Sequence, residues 1–318
     1  MNTLKLSICM MVKNEEKYLE ESLKSLTPFF DNVSTELIIV DTGSKDRTVE
    51  IANKYTKNVY FHKWDNDFAS MRNKTIKYAS GEWILVLDGD EVFEKTGPLI
   101  KFLNSSKSDN YNAASIGIKN ISSKESEEMS QPVGNLLRIF RNTKDFKYKG
   151  IIHEQPQFKK PVYLSDAVIL HYGYDHIDNE LMEYKFKRNV TLLEKELDKN
   201  PDNIYMLFQL SQTYSMYKKI DKGLSSIEKA YEIIKNNKKK AANHSYVYNQ
   251  LIRLYSKTNK YRELEEVCQE AISMVGDFLD FYYYLAIAQM GLNKNGESIT
   301  SFKKYLSLLE EDQKDIMD

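Results

Sequence analysis

The 318-residue chain carries 45 Lys and Arg against 46 Asp and Glu, a net charge of −1, which argues against nucleic acid as a partner. Hydrophobic residues make up 42% and charged residues 29%, the balance of a globular protein long enough for two cored domains. No apolar run reaches the length of a membrane span, and residues 4–12 are too short for a secretory segment. Cys9 and Cys268 sit in apolar or helical settings in different halves, as buried thiols of a reducing compartment would. A cytoplasmic protein with no transmembrane segment is expected.

In chain order, the first half alternates short apolar runs with helical stretches. Residues 6–12 predict a strand, and 15–26 a helix with Leu19, Leu23 and Leu26 on one face, stopped by Pro28. A second buried strand over 36–40 ends in Asp41-Thr42-Gly43-Ser44, ahead of a helix over 46–55. A short strand at 59–61, a helix over 68–79 closing near Gly81, and a strand over 83–87 follow. This alternation predicts a parallel sheet with right-handed crossovers, an α/β nucleotide-binding layout. Runs at 113–118, 135–140, 146–152 and 162–171 then succeed one another without helices, which predicts an antiparallel extension of that sheet.

From about residue 178 the pattern is helical. A charged amphipathic helix over 179–199 precedes Asn200-Pro201-Asp202, and the proline marks a boundary. Leu207, Leu210, Tyr214, Gly223, Ile227 and Ala230 recur in kind as Leu251, Ile252, Tyr255, Leu264, Cys268 and Ala271, with a weaker third copy around Leu285, Gln289 and Phe302. Tyr214 and Tyr255 lie 41 residues apart, and Tyr255 and Gln289 lie 34 apart. The pattern resembles tetratricopeptide repeats, whose period is about 34 residues, with residues 236–240 lengthening one unit. The expected domains are 1–175, a linker helix over 176–200, and a helical-repeat domain over 201–318.

The chemistry gathers where the early strands end. Asp88 and Asp90 flank Gly89 after an apolar run, at the carboxyl edge where open α/β sheets hold ligands. Two carboxylates one residue apart suit a divalent cation that also coordinates a diphosphate, although Asp-x-Asp also shapes turns. Val12 ends the first strand, Asn14 and Glu15 follow it, and the turn they form suits a base or ribose; acidic residues opposing a helix dipole explain Glu15 and Glu16 as well. Asp41 suits a pyrimidine N3–H or a ribose hydroxyl, or else the turn that follows it. Arg72, one turn into its helix, reaches a base or phosphate, or pairs with Asp67 or Glu82.

Four motifs occur in order: Asn14-Glu15-Glu16, Val40-Asp41-Thr42-Gly43-Ser44-x-Asp46-x-Thr48, Asn66-Asp67-Phe68-Ala69-x-x-Arg72-Asn73 and Asp88-Gly89-Asp90-Glu91. Together they resemble family-2 glycosyltransferases of the GT-A fold, over residues 6 to about 175. The arrangement with a tetratricopeptide-like half resembles bacterial enzymes that glycosylate peptides or proteins, such as bacteriocin S-glycosyltransferases and flagellin glycosyltransferases. The resemblance implies a UDP-sugar donor, UDP-glucose or UDP-N-acetylglucosamine, with Asp41 and Arg72 at the uracil and Asp88 at the ribose or, through water, the metal. It also implies Mn²⁺ or Mg²⁺ on Asp90, completed by His171 from a late strand end. The pair His153-Glu154 falls where related enzymes carry the general base; Glu154 is the expected base, with His153 orienting it, touching the sugar or taking its place. Arg138 and Arg141 are further candidates for steadying sugar or diphosphate.

The expected activity is metal-dependent, inverting transfer of a hexose or N-acetylhexosamine to a peptide or protein side chain (Ser, Thr or Cys). The helical half would dock the acceptor or form a homodimer. Competing readings are a transferase building a cell-surface polysaccharide or lipopolysaccharide-type glycan, and a non-catalytic repeat scaffold.

Overall fold

The structure, a computed structural model, describes residues 4–121, 134–172 and 179–317. The expected domain boundary at 175 and the start of the expected linker at 176 lie outside the described residues. Two compact units divide between Met182 and Glu183.

The first unit runs β1 (Leu6–Val12), α1 (Leu19–Ser25), α2 (Thr27–Asn32), β2 (Thr35–Asp41), α3 (Thr48–Tyr55), β3 (Val59–Phe61), α4 (Phe68–Ile76), β4 (Trp83–Asp88), β5 (Glu91–Lys95), α5 (Gly97–Leu103), β6 (Ala113–Asn120), β7 (Gly134–Arg141), β8 (Lys147–Lys149), β9 (Gln155–Gln157) and β10 (Val162–His171). Eight strands form one sheet in the order β3-β2-β1-β4-β7-β6-β10-β5, and β8 pairs with β9 separately. The early strands are parallel, as their unbroken apolar runs require when helices cover both faces. The later part is mixed, not wholly antiparallel: β7 runs against β4 and β6, whereas β10 lies parallel to β6 and antiparallel to β5. It is the mixed, GT-A-like sheet that the sequence anticipates in class.

Strand alternation sorts the core. Leu6, Ile8, Met10 and Val12 of β1 face a cluster shared with Leu19, Phe29 and Phe102, whereas Cys9 faces Ala69 of α4, Ile84 and Val86. Pro28 does not simply stop the first helix. It sits in the first turn of a second one, α2, where its missing N–H has no partner to lose. The strand expected over 146–152 shrinks to β8, because Gly150 at φ +98° and His153 at φ +48° turn the chain into a loop. β5 escapes a sequence reading because it is short and ends in Glu94-Lys95.

Gly81 lets β4 begin against β1: a Cβ there would stand 2.8 Å from Leu6 C, Ser7 N and Ser7 Oγ, and its own amide donates to Ser7 Oγ at 2.8 Å. Gly81→Ala is therefore expected to destabilise the unit by about 1–3 kcal/mol, as overpacking against backbone does. Urea unfolding followed by tryptophan fluorescence reads this unit, which contains both tryptophans, Trp64 and Trp83. An unchanged midpoint would mean that β1 yields without cost.

The second unit contains most of α6 (Asn179–Lys199), then α7 (Ile204–Met216), α8 (Ile220–Ile234), α9 (Lys238–Asn243), α10 (Ser245–Lys257), α11 (Tyr261–Val275), α12 (Leu279–Gly291) and α13 (Asn295–Met317). The expected linker helix is thus largely part of the helical unit. Helical hairpins α7/α8, α10/α11 and α12/α13 stack as a tetratricopeptide-like array on a core that includes Ile227, Tyr248, Leu251, Leu264 and Phe281. The residues 236–240 do not form a plain loop: Asn237 caps α9 by accepting from the Lys240 amide. Buried tyrosine rings find acidic partners, Tyr248 donating to Glu270 at 2.7 Å and Tyr255 to Glu228 at 3.0 Å. Among the described residues no helix is long and apolar enough to cross a membrane.

Candidate active site

The register of the central strands builds one edge. Val12 lies level with Asp41, and Met11 with Asp88, so the ends of β1, β2 and β4 stand side by side. Because β1 is flanked by β2 on one side and β4 on the other, the crevice of an open sheet falls here.

The loops after β1 and β2 are locked to one another. Asn14, held at φ +56°, donates its amide to Ser44 Oγ at 2.9 Å and accepts from the Lys45 amide at 2.8 Å. The Glu15 amide donates to Thr48 Oγ1 at 2.7 Å, and Glu16 exchanges hydrogen bonds with Asp46 and the Arg47 amide. Asp41 is buried, its carboxylate accepting from the amides of Gly43 and Ser44. Its side chain therefore shapes the 41–44 turn, the second of the roles open to it from sequence. Gly89 packs on this wall, since a Cβ there would meet Glu15 Cγ at 2.8 Å and Val12 Cγ1 at 3.4 Å. The structure thus brings Val12, Glu15 and Gly89 together.

The helix α4 carries the next layer. Asp67 caps it by accepting from the Ser70 amide, which starts the helix at Phe68. Asn73 then acts as a substitute strand edge for β8, donating to Tyr148 O at 2.9 Å and accepting from the Tyr148 amide at 2.8 Å. The Phe68 amide donates to Ile151 O, so α4 holds the 150–154 loop at both ends. Arg72, between these anchors, is buried and donates through Nε to Glu154 Oε1 and through Nη2 to Asp88 Oδ1 at 3.0 Å.

Asp88 shares its strand face with Ile84 and Val86, the face that α4 covers, and this directs it to Arg72. Its other oxygen accepts from Arg138 Nη2 at 3.2 Å, and the same nitrogen contacts Glu91 Oε1. A chain of alternating charge results: Glu154, Arg72, Asp88, Arg138, Glu91. Burial alone would raise the Asp88 pKa, but the Arg72 and Arg138 guanidiniums hold it well below the usual carboxylate range. Glu91 goes the other way: it is fully buried, and desolvation raises it despite Arg138.

Both Asp88 oxygens accept from guanidiniums, Oδ1 from Arg72 and Oδ2 from Arg138. Asp90 instead faces His171, with Oδ2 and Nε2 at 3.7 Å. His171 lies level with Asn120 in the sheet, and its Nδ1 is 3.0 Å from Asn120 Oδ1. A donating Nδ1–H leaves the Nε2 lone pair on the Asp90 side, the arrangement an imidazole ligand adopts. Among the described residues no group of three or more His, Cys, Asp and Glu side chains is disposed around one point. The pair of Asp90 and His171 fits a cation that takes its remaining ligands from substrate oxygens and water.

Glu154 keeps one oxygen, Oε2, without a hydrogen-bonding partner among the described residues, while Arg72 holds the other. His153 Nε2 is buried and without a partner there, and desolvation lowers the imidazole pKa, so the ring is neutral at pH 7. Arg141 does not join the site. It pairs with Glu82 and stacks 4.4 Å from the Trp83 ring, at the opposite end of β4. Glu91 and Asn120 were not singled out from sequence. The signal available for Glu91 is its place directly behind the Asp88-Gly89-Asp90 triplet.

A mixed sheet with these loop, helix and carboxylate motifs along its carboxyl edge defines a GT-A-like glycosyltransferase domain followed by helical repeats. Residues 7–160 match the family described as Glycosyl transferase family 2. A TPR repeat-containing protein of Synechococcus elongatus is 32% identical over 217 residues, covering 64% of this chain and 51% of the relative. The SPbeta prophage-derived glycosyltransferase SunS of Bacillus subtilis is 28% identical over 256 residues, 77% of this chain and 56% of that protein. The chain spans about half the length of these relatives. A solved structure of residues 1–349 of S. aureus TarS is similar over 81% of this chain and 91% of its own, at 15% identity and a TM-score of 0.41.

Proposed function

We propose that the chain transfers a hexose or N-acetylhexosamine from a UDP-sugar to a side chain of a peptide or protein, with inversion at the anomeric carbon. The reading rests chiefly on Glu154, whose one oxygen is fixed by Arg72 while the other remains open. The locked loops after β1 and β2, shaped by Asn14, Asp41 and Ser44, form the wall for the uracil, with Val12, Glu15 and Gly89 at the ribose. Asp88 and Arg72 stiffen the floor below. Glu154 Oε2 accepts the proton of the attacking acceptor atom, and His153 lies beside it in the same turn.

Asp90 and His171 would hold Mn²⁺ or Mg²⁺, which offsets the negative charge that gathers on the departing diphosphate. The helical half, an array of stacked hairpins, recruits the acceptor.

Thermal stabilisation by UDP, UDP-glucose and UDP-N-acetylglucosamine, each with and without Mn²⁺, tests the donor reading, since a ligand that binds only the folded state raises Tm. A manganese-dependent shift with UDP and one UDP-sugar is the expected result; no shift with any of them would overturn it. Asp90→Ala is expected to leave the unliganded protein folded, because Asp90 is only partly buried and lies in the turn between β4 and β5. It should also abolish the manganese-dependent part of the shift. Retention of that part would remove Asp90 from the metal site.

A further inference from the structure

The second unit contains a cavity that the donor site does not use. It has a volume of about 370 Å³ and opens where α7, α10 and α12 meet, lined by Ser215, Gln250, Arg253, Leu254, Lys257 and Tyr284 among others. That volume lies within the range of ligand pockets. We infer that this cavity binds an extended acidic segment of a peptide, engaging two carboxylates two residues apart through Arg253 and Lys257.

Charge is the first argument. Arg253 and Lys257 stand one turn apart on α10, so their side chains share a face. Neither forms an ion pair with a described residue, whereas the nearby Lys260, Lys294 and Lys304 pair with Glu228, Glu265 and Asp277. No carboxylate lines the cavity. Two unneutralised cations beside a concave surface attract an anionic ligand.

The rest of the lining argues for a peptide rather than a simple anion. Gln250 is buried, and its Nε2 donates to Ser211 Oγ and Ser215 Oγ, both at 3.2 Å. That fixes the amide with Oε1 as an acceptor, which suits a backbone N–H and repels a phosphate. Tyr284 adds a half-buried aromatic ring against which the peptide chain can lie. Spacing agrees as well: residues i and i+2 of an extended strand point the same way, about 6.6–7 Å apart. Neighbouring positions one helical turn apart are separated by about 5–6 Å.

The inference extends the proposed role of the helical half in recruiting an acceptor, and its test separates the two. Fluorescence anisotropy would compare a labelled Ser-Glu-Ser-Glu-Ser-Glu peptide with its Gln counterpart on the full chain. The Glu peptide is expected to bind about tenfold more tightly at low salt, the effect of two exposed ion pairs acting together. The double substitution Arg253→Glu with Lys257→Glu should erase that preference and favour the Ser-Lys counterpart instead, a gain that misfolding cannot mimic. Equal binding of the Glu and Gln peptides, or an unchanged preference in the double variant, would overturn the site. Displacement of the Glu peptide by an equal concentration of inorganic phosphate would reduce it to an anion site and overturn the peptide assignment. The manganese-dependent UDP shift, measured on the same samples, reports the donor site separately. A shift without peptide preference sinks only the cavity assignment, and peptide preference without a shift sinks only the transferase reading.

Discussion

Arg72→Met is expected to destabilise the first unit by about 3–5 kcal/mol at pH 8, the scale of a buried ion pair that loses one partner. Arg72 pairs with both Asp88 and Glu154, so its removal leaves two carboxylates facing each other across the vacated guanidinium. The pH dependence gives a sign. In the native protein Asp88 is held below the usual carboxylate range, so its contribution is present above the unfolded-state value of about 3.9 and is lost as pH falls through the lower folded-state value. The native protein therefore keeps this stabilisation at pH 5. In the variant Glu154 is left without a cation and Asp88 with Arg138 alone, so the two carboxylates relieve their repulsion by taking up protons, and the deficit should shrink between pH 8 and pH 5. Urea unfolding read by tryptophan fluorescence measures both values. A deficit that is small, or the same at the two pH values, would show that Arg72 does not hold these carboxylates.

Glu154→Gln should reduce kcat by about 10²- to 10⁴-fold while leaving the nucleotide-induced thermal shift intact. The amide oxygen still accepts from Arg72 Nε, so the loop geometry survives and only proton acceptance is lost. This separation of binding from turnover distinguishes a base from a residue that merely supports the loop. Near-normal turnover would pass the role to His153, whose burial keeps the imidazole neutral and able to accept a proton. Rates measured with the identified UDP-sugar and acceptor decide between the two residues.

Much of the sheet's carboxyl edge was legible because parallel strands buried on both faces read as unbroken apolar runs, and the residue after each run lands at the end of the sheet where open α/β folds hold ligands. Val12, Asp41 and Asp88 illustrate this, each closing a strand in matching register. The motif from Asn66 to Asn73 was recognisable too, but not its division of labour. Only the structure shows Asp67 starting the helix, Asn73 clamping β8, and Arg72 joining Asp88 to Glu154. Arg138 and Arg141 look alike in sequence. They are three residues apart on a strand, so they leave opposite faces, and only Arg138 reaches the site.

The sequence by itself determined the class of fold, the order of the two halves, and the edge on which the carboxylates gather. Those features follow from local periodicity and from which residues end each apolar run. Tertiary structure decided what each carboxylate does. Asp41 turns to its own loop, Asp88 is neutralised by two guanidiniums, and Asp90 is left to face His171, 81 residues away in the chain. Opposite charges brought together in a poorly solvated interior select their partners by distance and burial, and neither quantity is encoded in the spacing of residues along the chain.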